Sequence, residues 1–229
     1  MIKNWSLLSA LIISFLYSPL KAVLYEPPVN FMEIPVSDEV MVINGVDNES
    51  CWSGPLDMSL FNTNGWTGDA DFSAFYKICW DTDFLYIYAD ITDEYNHSYD
   101  PAYANVWMFD CIELYLDLDT NNPSTSYDEN TIQLRFNRGM NEPTAAGRTD
   151  AGDFLYHYEE KAGGDGWLLE VGIPWTCAMP DGSLPEDINN YVDQAMGFDI
   201  HFADSDNADG DIPVGNRDSH GAWDTDGMD

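Results

Sequence analysis

The sequence predicts an all-β chain, a single antiparallel β-sandwich of immunoglobulin or jelly-roll type with few or no helices. Three observations predict it. Apolar and polar residues alternate over several short runs, the two-residue period of a half-buried strand. Gly, Asp, Asn and Pro gather between those runs, where turns need them. No stretch carries the 3.6-residue periodicity of a long amphipathic helix.

The elements follow in chain order. Residues 23–39 are Pro-containing and irregular, and read as a lead-in. From Val40 the pattern is strand-like, and residues 72–80 form the first extended candidate. In 84–92, Leu85, Ile87, Ala89 and Ile91 share one face, with Tyr86, Tyr88 and Asp90 on the other. In 111–118, Ile112, Leu114, Leu116 and Leu118 oppose Cys111, Glu113, Tyr115 and Asp117. In 131–137, Ile132, Leu134 and Phe136 point inward while Gln133, Arg135 and Asn137 point outward. Further strands are expected over 153–159, 166–173 and 196–203, with one helical turn over 174–179. The chain ends at Asp229 with no apolar strand to close a sheet, and the sandwich spanning 40–229 is therefore expected to be truncated at its C-terminus.

Composition removes several classes of function. The chain has 229 residues, 41 of them acidic and 8 basic, for a formal charge of -33. A phosphate backbone would be repelled at every approach, so nucleic acid is not a partner. The first 22 residues have the order of a secretory signal peptide: Lys3, an apolar run from Leu7 to Leu16, and a small-residue exit at Ser18, Pro19 and Ala22. That run is too short to span a bilayer, and no later one is longer, so membrane insertion is not expected. The mature protein is expected to be secreted, periplasmic or held at the cell surface. It keeps four cysteines, Cys51, Cys79, Cys111 and Cys177. No CxxC pair suggests zinc, and three disulfide connectivities are open in an oxidising compartment. Cys79 and Cys111 also read as small buried residues within strands.

The chemistry gathers on two strands. If 111–118 and 131–137 are neighbours, Glu113 meets Arg135, with Gln133 and Asn137 beside them. The bland reading is a solvated ion pair of little energetic value. The functional reading is a fan of donors and acceptors, which suits vicinal sugar hydroxyls. Trp107 lies in the polar stretch that feeds the first strand, where an indole can stand exposed and stack on a pyranose. Trp80 and Trp167 fall within strand patterns and read as core.

At this point a resemblance emerges. Val42-Ile-Asn-Gly-Val-Asp47 with Trp52, Ile78–Ile87, Asp110-Cys-Ile-Glu-Leu-Tyr-Leu-Asp117, Gln133-Leu-Arg-Phe-Asn137, Gly166–Trp175 and Gly197-Phe-Asp-Ile200 with Asp204 occur in one order. That order resembles a family 9 carbohydrate-binding module over residues 40–229. The resemblance implies a DOMON-like β-sandwich that binds oligo- or polysaccharide without cleaving it, in some members at chain ends, and carries structural calcium. It implies that Trp107 is one wall of an aromatic clamp and that Glu113, Arg135 and Asn137 form its polar floor. Asp93 would be a further polar contact, Gln133 would orient Arg135, and Trp223 is a candidate for the second wall.

Two acidic loops bear on calcium. Asp117, Asp119, Asn121, Asn122 and Asp128 offer hard oxygens, as do Asp204, Asp206, Asp209 and Asp211. Either loop also reads as solvated acid; the resemblance favours calcium, with Asp117, Asp119, Asp204 and Asp206 as candidate ligands. Among rival functions, a hydrolase would need a singled-out carboxylate pair or a positioned base, and neither motif is present. A haem-binding sandwich would draw on Met108, Met140 or His157. An accessory module of a glycoside hydrolase is compatible with the first reading, and a purely structural module would pack Trp107.

Overall fold

A computed structural model describes residues 33–52, 56–57, 62–64, 72–102, 105–117, 131–177, 196–206 and 219–222. It contains eleven strands among the described residues, in two antiparallel sheets. These are β1 (Leu56–Asp57), β2 (Asn62–Asn64), β3 (Phe72–Trp80), β4 (Phe84–Asp93), β5 (Cys111–Asp117) and β6 (Thr131–Asn137). They continue with β7 (Ala145–Ala146), β8 (Leu155–Glu160), β9 (Gly166–Pro174), β10 (Gly197–Asp204) and β11 (Ser219–Ala222). The first sheet runs β1-β3-β4-β9-β8 and the second β2-β11-β10-β5-β6-β7. The only helical pieces among the described residues are single 3-10 turns, one of them at Trp175–Cys177 as expected. No described helix is long and apolar enough to cross a membrane.

The alternation read from the sequence sets the core. Leu85, Ile87, Ala89 and Ile91 of β4 are buried, as are Ile112, Leu114 and Leu116 of β5 and Ile132, Leu134 and Phe136 of β6. Rings join the two sheets: Tyr76 of β3 lies 5.9 Å from Phe202 of β10, and Phe136 lies 6.1 Å from Tyr156 of β8. Trp167 is buried in this core, whereas Trp80 is half-buried and meets Trp175 edge-on at 6.2 Å.

One expectation is corrected. Residues 40–52 form no strand. Gly45 adopts φ +80, which a side chain tolerates poorly, and Asn44 Oδ1 accepts from the Val46 amide at 2.9 Å to make a turn. The Glu170 carboxylate of β9 then accepts from the Asn44 and Gly45 amides, each at 2.7 Å, and fixes the turn against the first sheet. One strand also went unread: β11 pairs with β10 and β2. Its sequence, Ser-His-Gly-Ala, has no apolar alternation and so gave no strand signal.

Candidate functional site

β5 and β6 are neighbours in the register expected, with Glu113 opposite Arg135 and Tyr115 opposite Gln133. Arg135 Nε donates to Glu113 Oε1 at 2.8 Å, and Gln133 Nε2 donates to the same oxygen at 2.8 Å and to Tyr115 Oη at 3.1 Å. Among the described residues, the terminal nitrogens of Arg135 donate to no protein group. The patch is sunk rather than openly solvated: the Arg135 side chain is 11% exposed and that of Glu113 only 2%. The other neighbour of β5 adds polar groups beside the patch. His201 of β10 stands opposite Glu113, its ring lies 4.9 Å from Tyr115, and Asp199 Oδ2 lies 3.1 Å from its Nε2. Asp199 and His201 escaped notice in the sequence, although they alternate with Ile200 and Phe202 and so belong to the same outer face.

Trp107 sits on the 3-10 turn Val106–Met108 and is 38% exposed, as expected. Its neighbours hold the turn. Met108 and Phe109 are buried, and the Phe109 ring meets those of His97 and Tyr99 at 5.1 and 5.6 Å. Asn137 at the end of β6 does the rest. Its Nδ2 donates to the Val106 carbonyl at 2.8 Å, while its Oδ1 accepts from Thr144 Oγ1 at 2.6 Å. Asn137 is fully buried, so the expectation that it faces a ligand is corrected: its amide ties the Trp107 turn to the strand carrying Arg135.

Asp93 is also placed elsewhere. It follows Ile91 by two residues and continues the inward face of β4, where it is fully buried. Four other charged residues extend or flank an inward strand face in the same way, Asp110, Arg138 and Asp204 buried and Glu160 partly exposed. Asp110 precedes Ile112, Arg138 follows Phe136, Glu160 follows Tyr158 and Asp204 follows Phe202, all at one end of the sandwich. Arg138, fully buried, is the hub: Nη1 lies 2.8 Å from Asp93 and 3.3 Å from Asp110, and Nη2 2.9 Å from Glu160. The left-handed turn at Gly139 lets the chain leave immediately afterward; a Cβ there would meet Ser98 at 2.9 Å. Burial, with Asp110 alongside, pushes the Asp93 carboxyl above its ordinary range, and burial does the same to Asp110.

This end is where a divalent cation would fit. Asp93, Asp110 and Asp204 can each bring a carboxylate oxygen within 4.8 Å of the others. The donors are hard oxygens from three chain segments, with one guanidinium against three buried carboxylates. Of the candidate metal ligands, Asp204 joins this cluster and Asp206 follows two residues on. Asp117 ends β5 opposite Gly197, and Asp119 lies outside the described residues, as does Trp223. Of the haem candidates, Met108 is buried on its turn, while Met140 and His157 are half-buried.

The fold and site are those of a β-sandwich with a polar patch on an outer face and an exposed indole at its end. A model of the family described as "Carbohydrate family 9 binding domain-like" matches residues 43–226, and the chain belongs to that family. A family 9 carbohydrate-binding module from Caldicellulosiruptor kristjanssonii, solved with cellotriose, is similar at 20% identity and TM-score 0.53, over 83% of each chain. The same kind of module solved with glucose gives 19% identity and TM-score 0.52, over 82% of this chain and 83% of the other. Among curated proteins, Endo-1,4-beta-xylanase A of Thermoanaerobacterium saccharolyticum is 27% identical over 130 residues, and Exoglucanase XynX of Acetivibrio thermocellus is 30% identical over 132. Each match covers 57% of this chain and 10% of the relative, so the chain spans a small part of either enzyme's length.

Proposed function

We propose that the chain is an exported, non-catalytic module that binds carbohydrate, with Trp107 stacking on a sugar ring and Arg135 hydrogen-bonding its hydroxyls. One observation carries this reading: the exposed indole of Trp107 is tethered through Val106 and Asn137 to the strand that holds Arg135 against Glu113. Glu113 holds the guanidinium through Nε and is itself oriented by Gln133, and the outer edge of Arg135 supplies paired donors to vicinal hydroxyls. Asn137 is a positioning residue for the stacking turn, and Trp223 is the candidate for a second aromatic wall. β-linked glucose or xylose oligosaccharides are the ligand class to test, because the similar structures hold cellotriose or glucose and the curated relatives are a xylanase and an exoglucanase.

Isothermal titration of the protein with cello- and xylo-oligosaccharides tests the reading. Saturable heat with one of these series is expected; silence across both and across a glycan array refutes it. Arg135→Lys is expected to weaken binding by about 10- to 100-fold, since a point charge cannot reproduce the fork and charged hydrogen bonds contribute about 1.5–3 kcal/mol each. An unchanged Kd would remove Arg135 from the site.

Calcium belongs to the same proposal, as a structural ion held by Asp93, Asp110 and Asp204. When bound, it supplies charge compensation at the buried end of the core, which Arg138 alone leaves incomplete. The melting temperature should rise on adding calcium and fall with chelator, and Asp110→Asn should abolish the difference. Equal melting temperatures with and without chelator would end the calcium assignment.

A further inference from the structure

Residues 33–52 cover the outer face of the first sheet, and three kinds of contact hold them there. The Ser37 amide donates to the Trp80 carbonyl at 2.7 Å, and the Trp80 amide to the Pro35 carbonyl at 3.0 Å. Glu170 captures the Asn44–Gly45 turn, and Lys77 pairs with Asp47. The third contact is between sulfur atoms. Cys51 Sγ lies 3.0 Å from Cys79 Sγ and 3.4 Å from Met41 Sδ, in a small apolar cluster with Tyr86. Cys79 lies on the outward side of β3, since Ala74, Tyr76 and Ile78 take the inward one. It is nevertheless fully buried, beneath this covering segment.

We propose that Cys51 and Cys79 form a disulfide bond that locks the covering segment to β3. The two thiols give up their protons, one S–S bond forms between Sγ atoms, and two electrons pass to a disulfide of the export compartment's thiol oxidant. That disulfide leaves as two thiols. Burial and the adjacent Cys51 push the Cys79 thiol far above its ordinary range, so thiolate is scarce once the segment has closed. The bond therefore forms during folding, while the oxidant still has access, and is afterwards shielded from reductant.

The alternative use of this sulfur cluster is a soft metal ion, for which two thiolates and a thioether are a suitable set. The spacing favours the bond. Thiolates about 2.3 Å from a tetrahedral ion stand about 3.8 Å apart, wider than the separation here. Met41 Sδ also accepts from Ser37 Oγ at 3.4 Å, which turns it to a protein donor.

The test uses the full chain exported into an oxidising compartment, denatured with iodoacetamide in the absence of reductant and weighed intact. Two alkyl groups are expected, on Cys111 and Cys177, rising to four after reduction. A non-reducing digest should contain a peptide joining Cys51 to Cys79. Four alkyl groups without reductant, or a crosslink through Cys111 or Cys177, overturns the proposal; four alkyl groups with copper in the native protein would replace the bond by a metal site. As a second measurement, C51A/C79A should keep the near-ultraviolet dichroism of the core while residues 37–52 are cleaved by protease about tenfold faster. Wild-type cleavage that matches the double variant, with all four thiols labelled, equally overturns it.

Discussion

Arg138→Ala is expected to lose about 3–5 kcal/mol of folding stability, the cost of removing one partner from a buried ionic cluster. That is a large part of the roughly 5–15 kcal/mol that holds a typical domain together. The guanidinium is fully buried and donates to Asp93, Asp110, Glu160 and the Tyr95 carbonyl. Its removal takes the guanidinium counter-charge away from the buried Asp93 and Asp110 carboxylates. Arg138→Lys should recover only part of the loss, because an ammonium cannot reach Asp93 and Glu160 from one plane. Denaturant midpoints followed by circular dichroism measure both variants. A loss below about 1 kcal/mol for the alanine variant would mean the carboxylates are compensated by something other than this residue.

Trp107→Ala is expected to weaken carbohydrate binding by about 2–4 kcal/mol, in the range of interface tryptophans, with folding stability changed by about 1 kcal/mol or less. The asymmetry follows from the turn's anchoring. Met108 and Phe109 are buried, and Asn137 holds the Val106 carbonyl, so the turn keeps its place without the indole. Titration with the ligand that wild type binds, alongside thermal melting, separates the two effects. Unchanged affinity refutes the stacking role, and a collapse of the melting temperature would make Trp107 a packing residue. Asn137→Ala makes the useful contrast: it touches no ligand in this reading, yet should weaken binding by releasing the turn.

The long strands were legible because their alternation is strict. Residues 72–80 and 131–137 are strands at the bounds read from the sequence, and Glu113 faces Arg135 as the alternation required. The short strands were not legible: β1, β2, β7 and β11 carry too few residues for a period, and tertiary pairing alone makes them extended. The charged end of the core was legible in principle and overlooked. Asp93 shares parity with Ile91, and Arg138 with Phe136, but parity alone does not distinguish a charge buried at the end of an apolar run from one that meets a ligand. Only the assembled sandwich brings Asp93, Asp110, Arg138, Glu160 and Asp204 to one place from strands far apart in sequence. The covering segment was misread for a related reason. Its valines suggested a strand, but Gly45 and the Glu170 carboxylate impose a turn that local pattern does not contain.

Among the described residues, three of the four sheet margins are formed by β1, β2 and β7, of two, three and two residues. An incoming chain finds there too short a row of amides to extend its own ladder. With a formal charge of -33 repelling like molecules as well, copies of the chain held close together resist seeding one another into aggregates.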